Sequence, residues 1–394
     1  MSSAVVSYLR LPLFAGLLLA VSACATSTRS AAPNAAINAA MQTMVERQEV
    51  AGVVTLVATR DGVVHLGAVG MADVAANHPM STDALFWIAS MTKPITGVAI
   101  MMLQDAGKLS VDDPVAKYLP ELAKTATADG TVHTITLKHL LTHSSGLAES
   151  TKEERDGAKS LADLMPGFSA RPLQFAPGSR WQYCQSGINS LGRVIEVVSG
   201  KSFPSFLQER LFTPLGMVDT TFYPDPAQVA RLASTYKREG DVLIPAKLPW
   251  DYDPTNIGHY PAPNGGLFST ASDYGRFCRL LLNDGALDGR TYLSKAAVRQ
   301  LRSVASGDLK TGFTDGNGWG LGVCVVRQPQ GVSAALSAGS YGHGGAFGTQ
   351  AWIDPVKGVA YVLMVQRSNF PNSDNSDVRK AFQEAAVAIA GPAR

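Results

Sequence analysis

Apolar positions along this chain change period twice. Val53-Val54-Thr55-Leu56-Val57, the turn signal Arg60-Asp61-Gly62 and Val63-Val64-His65-Leu66 predict a β-hairpin near the N-terminus. A second β cluster is predicted late in the chain, at Gly320 to Val326, Gln350 to Ile353 and Val359 to Val365. The last two are joined by Asp354-Pro355-Val356-Lys357-Gly358, a link short enough to make them antiparallel neighbours. Between the clusters the period is helical: Ile95, Val98, Ala99, Met102, Leu103 and Ala106, then Ile188, Leu191, Ile195 and Val198 ahead of Gly200. Val378, Phe382, Ala385 and Ile389 behind Ser376-Asp377 predict a closing helix with its N-cap.

These periods predict one antiparallel sheet covered by helices, with an inserted, mostly helical domain. In residue ranges, the sheet domain is 37–88 plus 305–394 and the helical domain 89–304. A cleft between them is the natural place for a site. Pro245 to Gly266, with five Pro and the aromatics Trp250, Tyr252 and Tyr260, reads as a long loop on that cleft's wall.

Composition agrees with a globular chain. The 394 residues are 46% apolar and 17% charged, and 34 basic against 32 acidic residues leave a formal charge of +2. So small a charge, with no basic run carrying interleaved aromatics, excludes a nucleic-acid footprint. Arg10 followed by the apolar stretch Leu11 to Val21 reads as a secretory signal, too short to span a bilayer. Val21-Ser22-Ala23-Cys24 resembles the lipobox of bacterial lipoproteins. That resemblance implies removal of residues 1–23, lipidation of Cys24, a flexible tether over 24–36, and anchoring to the outer membrane facing the periplasm. Membrane contact would be through that anchor alone. The three remaining thiols, Cys184, Cys278 and Cys324, lack Cys-x-x-Cys spacing and read as small packing residues.

The chemistry begins at Ser90-Met91-Thr92-Lys93. Three-residue spacing in a helical turn puts the Ser hydroxyl and the Lys amine on one face, and Pro94 fits a first turn. A Ser hydroxyl needs a neighbouring base, and Lys serves only if its pKa falls from ~10.4 towards ~7. Alone the tetrapeptide is also satisfied by a capping Ser and a solvated Lys.

Other segments decide. Phe86 to Thr96, Asp112-Asp113-Pro114-Val115, Leu140 to Leu147, Pro177 to Tyr183, Asn264 to Thr270 and Gly342-His343-Gly344-Gly345 occur in the order seen in the serine β-lactamase-related superfamily. The chain resembles that superfamily over nearly all of its mature length, and most of all the family VIII carboxylesterases. The resemblance implies a β-lactamase/D,D-peptidase-like α/β fold, its antiparallel sheet flanked by N- and C-terminal helices, with Ser90 as nucleophile, Lys93 as base partner and Tyr183 as second proton carrier. It further implies an oxyanion hole from the backbone N–H groups of Ser90 and Ala346, with the third motif on the sheet's edge strand. Phenolate formation at Tyr183 would need support from a protonated Lys93.

Two departures bear on substrate. Tyr183-Cys184-Gln185 replaces the Tyr-x-Asn of β-lactamases, and His343-Gly344-Gly345 replaces Lys-Thr-Gly, so a permanent cation gives way to an imidazole. With Gln185, His343, Gly344 and Gly345 as the substrate-binding set, both departures favour a serine hydrolase of short-chain esters with weak or no β-lactam turnover. The substrate would be a small ester or amide, and neither metal nor organic cofactor is expected. A β-lactamase or a peptidase of D-amino-acid cell-wall peptides is the enzymatic alternative. A catalytically silent, tethered binding protein is the alternative from another class.

Three decoys are set aside. Ala338-Gly339-Ser340-Tyr341-Gly342 approximates a nucleophile elbow but precedes a β-rich segment instead of a helix. His139 and His143 have metal-like spacing without the Glu of a zinc protease. Cys184, beside Tyr183, has no local His partner.

Overall fold

The computed structural model describes residues 1–5, 31–248, 253–254 and 256–389. Cys24, Trp250 and Tyr252, singled out above, lie outside the described residues. The centre is an eight-stranded antiparallel sheet. Its strands are β1 (Gly52–Thr59), β2 (Val63–Asp73), β3 (His78–Pro79), β4 (Asn317–Trp319), β5 (Cys324–Val326), β6 (Tyr341–Gly344), β7 (Gln350–Asp354) and β8 (Val359–Val365). In space they run β4-β5-β6-β7-β8-β1-β2-β3, so the two ends of the chain meet where β8 pairs with β1, Val365 opposite Val53. The hairpin of β1 and β2 turns at Arg60-Asp61-Gly62, with a register shift between Val57 and Ala58.

Helices cover both faces. Val53 and Val57 share one cluster with Ile37 and Met41 of α1 (Ala31–Glu46) and with Val378 and Phe382 of the C-terminal helix. Val54, Leu56 and Ala58 point the other way, into a cluster with Tyr274, Phe277 and Leu281 of the helix Ala271–Leu282. Burial on both sides is the reason β1 is apolar without alternation. The helix Ala271–Leu282 therefore belongs to the sheet's covering layer, although its residues fall inside the 89–304 segment.

Several boundaries differ from expectation. Residues 31–36, expected as tether, are the first turns of α1. Only Cys324–Val326 of the expected Gly320 to Val326 strand is extended, because Gly322 (φ +81°) turns the chain between β4 and β5. The strand carrying His343 is internal, paired with β5 and β7, and β4 holds the edge.

The helix α2 (Thr92–Asp105), expected from its apolar period, is buried on every side from Thr92 to Leu103. It lies under the β4–β5 turn, where a Cβ on Gly97 would sit 2.6 Å from the Leu321 carbonyl oxygen. Glycine there lets the two backbones touch. The helix α3 (Gln185–Ser199) ends on Gly200, left-handed at φ +70°. The closing helix, α4 (Asp377–Ala386), is capped by the Ser376 side chain, which accepts from the Arg379 N–H.

Candidate active site

Ser90 sits in a short 3₁₀ turn, Ala89–Met91, that leads directly into α2. Ala89 is left-handed at φ +46°, a conformation that costs a residue with a Cβ roughly 1–2 kcal/mol. The surroundings hold it: Thr92 Oγ1 donates to the Ala89 carbonyl oxygen at 2.7 Å and accepts from the Leu267 N–H at 3.2 Å. The strained turn lifts Ser90 out of the helix barrel, leaving it partly exposed while both its neighbours are buried.

Lys93 has no exposed surface. Its Nζ donates to Ser90 Oγ at 2.9 Å and to the Asn264 carbonyl oxygen at 2.7 Å. Burial drives its pKa down from 10.5 to about 7, against the pull of Glu149, Cys184 and Asp374. A neutral amine within hydrogen-bond reach of a hydroxyl is the arrangement a Lys base needs.

Tyr183 precedes α3 in a loop, its ring 4.5 Å from Lys93 Nζ. It stands in an aromatic group with His143 (4.4 Å), Phe313 (4.9 Å) and Trp319 (6.0 Å between centroids). Burial pushes the Tyr183 pKa well above 10, and the contact with Ser90 works against that rise. The fall to about 7 at Lys93 is the one a Lys base was expected to need, and near neutral pH Tyr183 is a phenol instead of the phenolate considered for it.

His343 was expected among substrate contacts. The fold buries it at 3% exposure, with Nε2 3.4 Å from Tyr183 Oη and Nδ1 2.6 Å from the Gly344 carbonyl oxygen. The carbonyl must accept, so Nδ1 carries the proton and Nε2 is free to accept from Tyr183. Burial, with Lys93 adding to it, lowers the His343 pKa to about 3, and the ring is neutral.

The two glycines after it do packing work. A Cβ on Gly344 would overlap Asp374 Oδ1, and one on Gly345 would lie 2.6 Å from the Ile88 carbonyl oxygen. The space was expected to admit substrate, but the protein's own atoms fill it. The consequence is that β6 ends against the Ile88–Ser90 segment, which brings Ala346 to the cavity that Ser90 lines.

That cavity has a volume of about 330 Å³. Besides Ser90 and Ala346 its walls include Trp87, Gln185, Tyr260, Asn264 and Gly266, so the 245–266 loop does form a wall. Gln185 Oε1 accepts from Asn264 Nδ2 at 2.9 Å, which ties the start of α3 to the loop that also receives Lys93.

Glu149 was missed by the motif reading. Its carboxylate accepts from the Gln185 N–H (2.6 Å), the Ser186 N–H (3.0 Å) and Ser186 Oγ (3.0 Å), capping the N-terminus of α3. The signal available was an acidic residue just past Leu140 to Leu147, but nothing local says which helix it caps.

The decoys have other partners. His139 closes a capping box with Thr136, and His143 Nδ1 accepts from the Cys184 N–H at 3.1 Å. Ser340 is fully buried in the turn entering β6. Cys184, Cys278 and Cys324 are free, buried thiols whose pKa values burial pushes upward.

The β-lactamase family profile matches residues 37–386. Among curated relatives, Esterase EstB of Burkholderia gladioli is 30% identical over 375 residues, covering 86% of this chain and 92% of its own. Penicillin-binding protein 4 of Amycolatopsis lactamdurans is 35% identical over 294 residues, 74% of this chain and 73% of its own. Among solved structures, EstCE1, a hydrolase with promiscuous acyltransferase activity, superposes with a TM-score of 0.79 at 24% identity, over 92% of this chain and all of that one.

Proposed function

The chain belongs to the β-lactamase family, and on that footing we propose that it is a carboxylesterase that forms an acyl-enzyme on Ser90. The observation that carries this reading is the 2.9 Å contact between Ser90 Oγ and the buried amine of Lys93. Neutral Lys93 takes the Ser90 proton as Oγ bonds to the ester carbonyl carbon. The N–H groups of Ser90 and Ala346 receive the resulting oxyanion, each worth ~3 kcal/mol in the transition state. As the C–O bond to the alcohol breaks, Tyr183 gives the leaving oxygen its proton and recovers one from the Lys93 ammonium. Water then attacks the acyl-enzyme through the same relay in reverse.

Ester is favoured over β-lactam by two features. The residue standing where the β-lactamase pattern has Lys is His343, neutral and turned to Tyr183. The Gln185 side-chain oxygen is occupied by Asn264 Nδ2. A cavity of about 330 Å³ beside Ser90 leaves room for the acyl group. The similarity to a penicillin-binding protein supports a second reading, action on D-amino-acid peptides. We further infer that Cys24 carries a lipid anchor on the outer membrane.

The test compares the protein with Ser90→Ala on short-chain p-nitrophenyl esters and a chromogenic cephalosporin, with intact-mass detection of the acyl-enzyme. Ser90-dependent ester turnover with little lactam turnover is expected. Substantial activity in folded Ser90→Ala overturns the nucleophile, and preferential lactam turnover overturns the esterase assignment.

A further inference from the structure

One end of the sheet presents aliphatic side chains to solvent. Val63, Val64 and Leu66 of β2 are 50%, 37% and 40% exposed, and Val356, in the turn between β7 and β8, is 55% exposed. Strand register puts them at the same end: Val359 pairs with Thr59 on one side and Asp354 on the other, and Val63 pairs with Ala58. The outer edge of β2 from Val63 to Val69 has no strand partner among the described residues, since β3 covers only Met71 to Asp73. The turn beside it is firmly held. Arg60 donates to the Leu282 carbonyl oxygen, and Arg279 Nη2 donates to the carbonyl oxygens of Arg60 (3.2 Å) and Asp61 (3.1 Å). Aliphatic side chains gathered at one end, unlike ones scattered singly, mark a contact surface.

The N-terminal side of the chain says what that surface meets. α1 begins at Ala31 beside this same end. Asn34 Oδ1 accepts from His65 Nδ1 at 3.1 Å, and His65 Nε2 accepts from Thr55 Oγ1 at 2.8 Å, which fixes the first turn of α1 to the start of β2. Cys24 stands seven residues before Ala31, and a chain of that length reaches at most about 25 Å. A lipid on Cys24 therefore keeps this end of the sheet within that distance of a bilayer. The charges are compatible. Arg60, Arg279, Arg302 and Lys357 lie here against Asp61, Asp284 and the buried Asp354, a slight basic excess that suits anionic headgroups.

We propose that this end of the sheet rests on the bilayer surface, with Val63, Val64, Leu66 and Val356 seated between headgroups and acyl chains. The proposal rests on the lipid anchor inferred above. The anchor tethers, whereas the seated side chains also set an orientation. Gly344 pairs with Gln350 at the opposite end of β6 and β7, and Ala346 lies beyond that pair on the cavity that Ser90 lines. The five residues of β7 put about 17 Å between the two ends. The cleft thus faces away from the membrane, and its substrate is an ester dissolved in the aqueous phase instead of one drawn from the lipid.

The experiment uses full-length, lipidated protein bound to vesicles of phosphatidylethanolamine and phosphatidylglycerol that carry a nitroxide-labelled phospholipid. Cys184, Cys278 and Cys324 are buried, so a thiol-reactive fluorophore reports on an introduced surface cysteine. Val64→Cys reads the membrane end. Val242→Cys reads the opposite end, on a hairpin that Tyr236 joins to Arg367, just past Val365. The fluorophore at Val64→Cys is expected to shift to the blue and to be quenched several-fold more than the one at Val242→Cys. Adding Val63→Glu and Leu66→Glu should bring the two to equality with the melting temperature nearly unchanged. Equal quenching in the lipidated protein, or quenching that the Glu substitutions do not alter, overturns the seating and leaves the anchor standing. A signal at Val64→Cys that follows protein concentration without vesicles, and is not quenched on them, also overturns it and assigns the open edge of β2 to a second copy of this chain. Protein that fails to float with the vesicles, with Cys24 unmodified by mass spectrometry, overturns the anchor and the seating with it.

Discussion

Lys93 Nζ reaches Ser90 Oγ at 2.9 Å while lodged against the Asn264 carbonyl oxygen at 2.7 Å, contributed by the loop on the far side of the cleft. The amine is therefore held by two segments separated by 171 residues. Its basicity depends on their closure, because the burial that lowers its pKa to about 7 exists only when they meet.

A titration follows from that burial. With neutral Lys93 as base, kcat/KM for an ester should rise with pH through an apparent pKa of about 7. Stability should carry the same signature. Between about 7 and 10.5 the unfolded chain binds the Lys93 proton and the folded one does not, so this contribution to stability grows as pH rises through that window. Lys93→Met should abolish turnover and raise the melting temperature, since it removes a costly buried amine. Calorimetry against pH, beside a rate profile, checks both. A melting temperature lowered by the substitution would count against the depressed pKa.

Glu149 links helix capping to this titration. Removing its charge with Glu149→Gln should cost about 1–2 kcal/mol through the weakened cap on Gln185 and Ser186. Because the carboxylate favours the Lys93 ammonium, its loss should move the midpoint of the pH–rate profile downward. Chemical denaturation reads the first effect and kcat/KM against pH the second.

Gly345→Ala tests the oxyanion hole through its support. The added methyl would press on the Ile88 carbonyl oxygen, 2.6 Å away, and on Thr349, pushing β6 away from Ser90. A stability loss of about 1–3 kcal/mol is expected, with kcat reduced about 10²-fold and KM changed little. Steady-state kinetics on the folded fraction checks this, and a KM effect without a kcat effect would argue against a donor at Ala346.

The lipid anchor has its own test. Full-length protein expressed in a double-membraned bacterium should fractionate with outer membranes, and Cys24→Ser should release it. Unmodified Cys24 in the membrane-extracted protein, read by mass spectrometry, would contradict the anchor.

Local patterns were enough for much of the fold. The hairpin at Arg60-Asp61-Gly62, α3 up to its Gly200 cap and the closing helix capped by Ser376 all follow from side-chain period and turn chemistry within a few residues. The edges of these elements did not follow. α1 begins inside a stretch whose Ala, Ser and Thr look like a tether, because Ile37 and Met41 find the sheet. β4 has three residues, too few for a period to be seen.

The sequence by itself determined the spacing of Ser90 and Lys93, the order of the family's segments and the apolar run that obliges β1 to be covered on both faces. These depend on neighbours in the chain. Only the tertiary structure decided the protonation of the site and what surrounds it. Lys93 becomes a base of pKa about 7 when packed beneath Asn264, and His343 turns from a cleft residue into a neutral partner of Tyr183. Asp374 fills the room beside Gly344, and Phe313 is set against Tyr183 from 130 residues further along the chain. Desolvation and through-space charge act between atoms brought together by folding, and no spacing along the sequence encodes them.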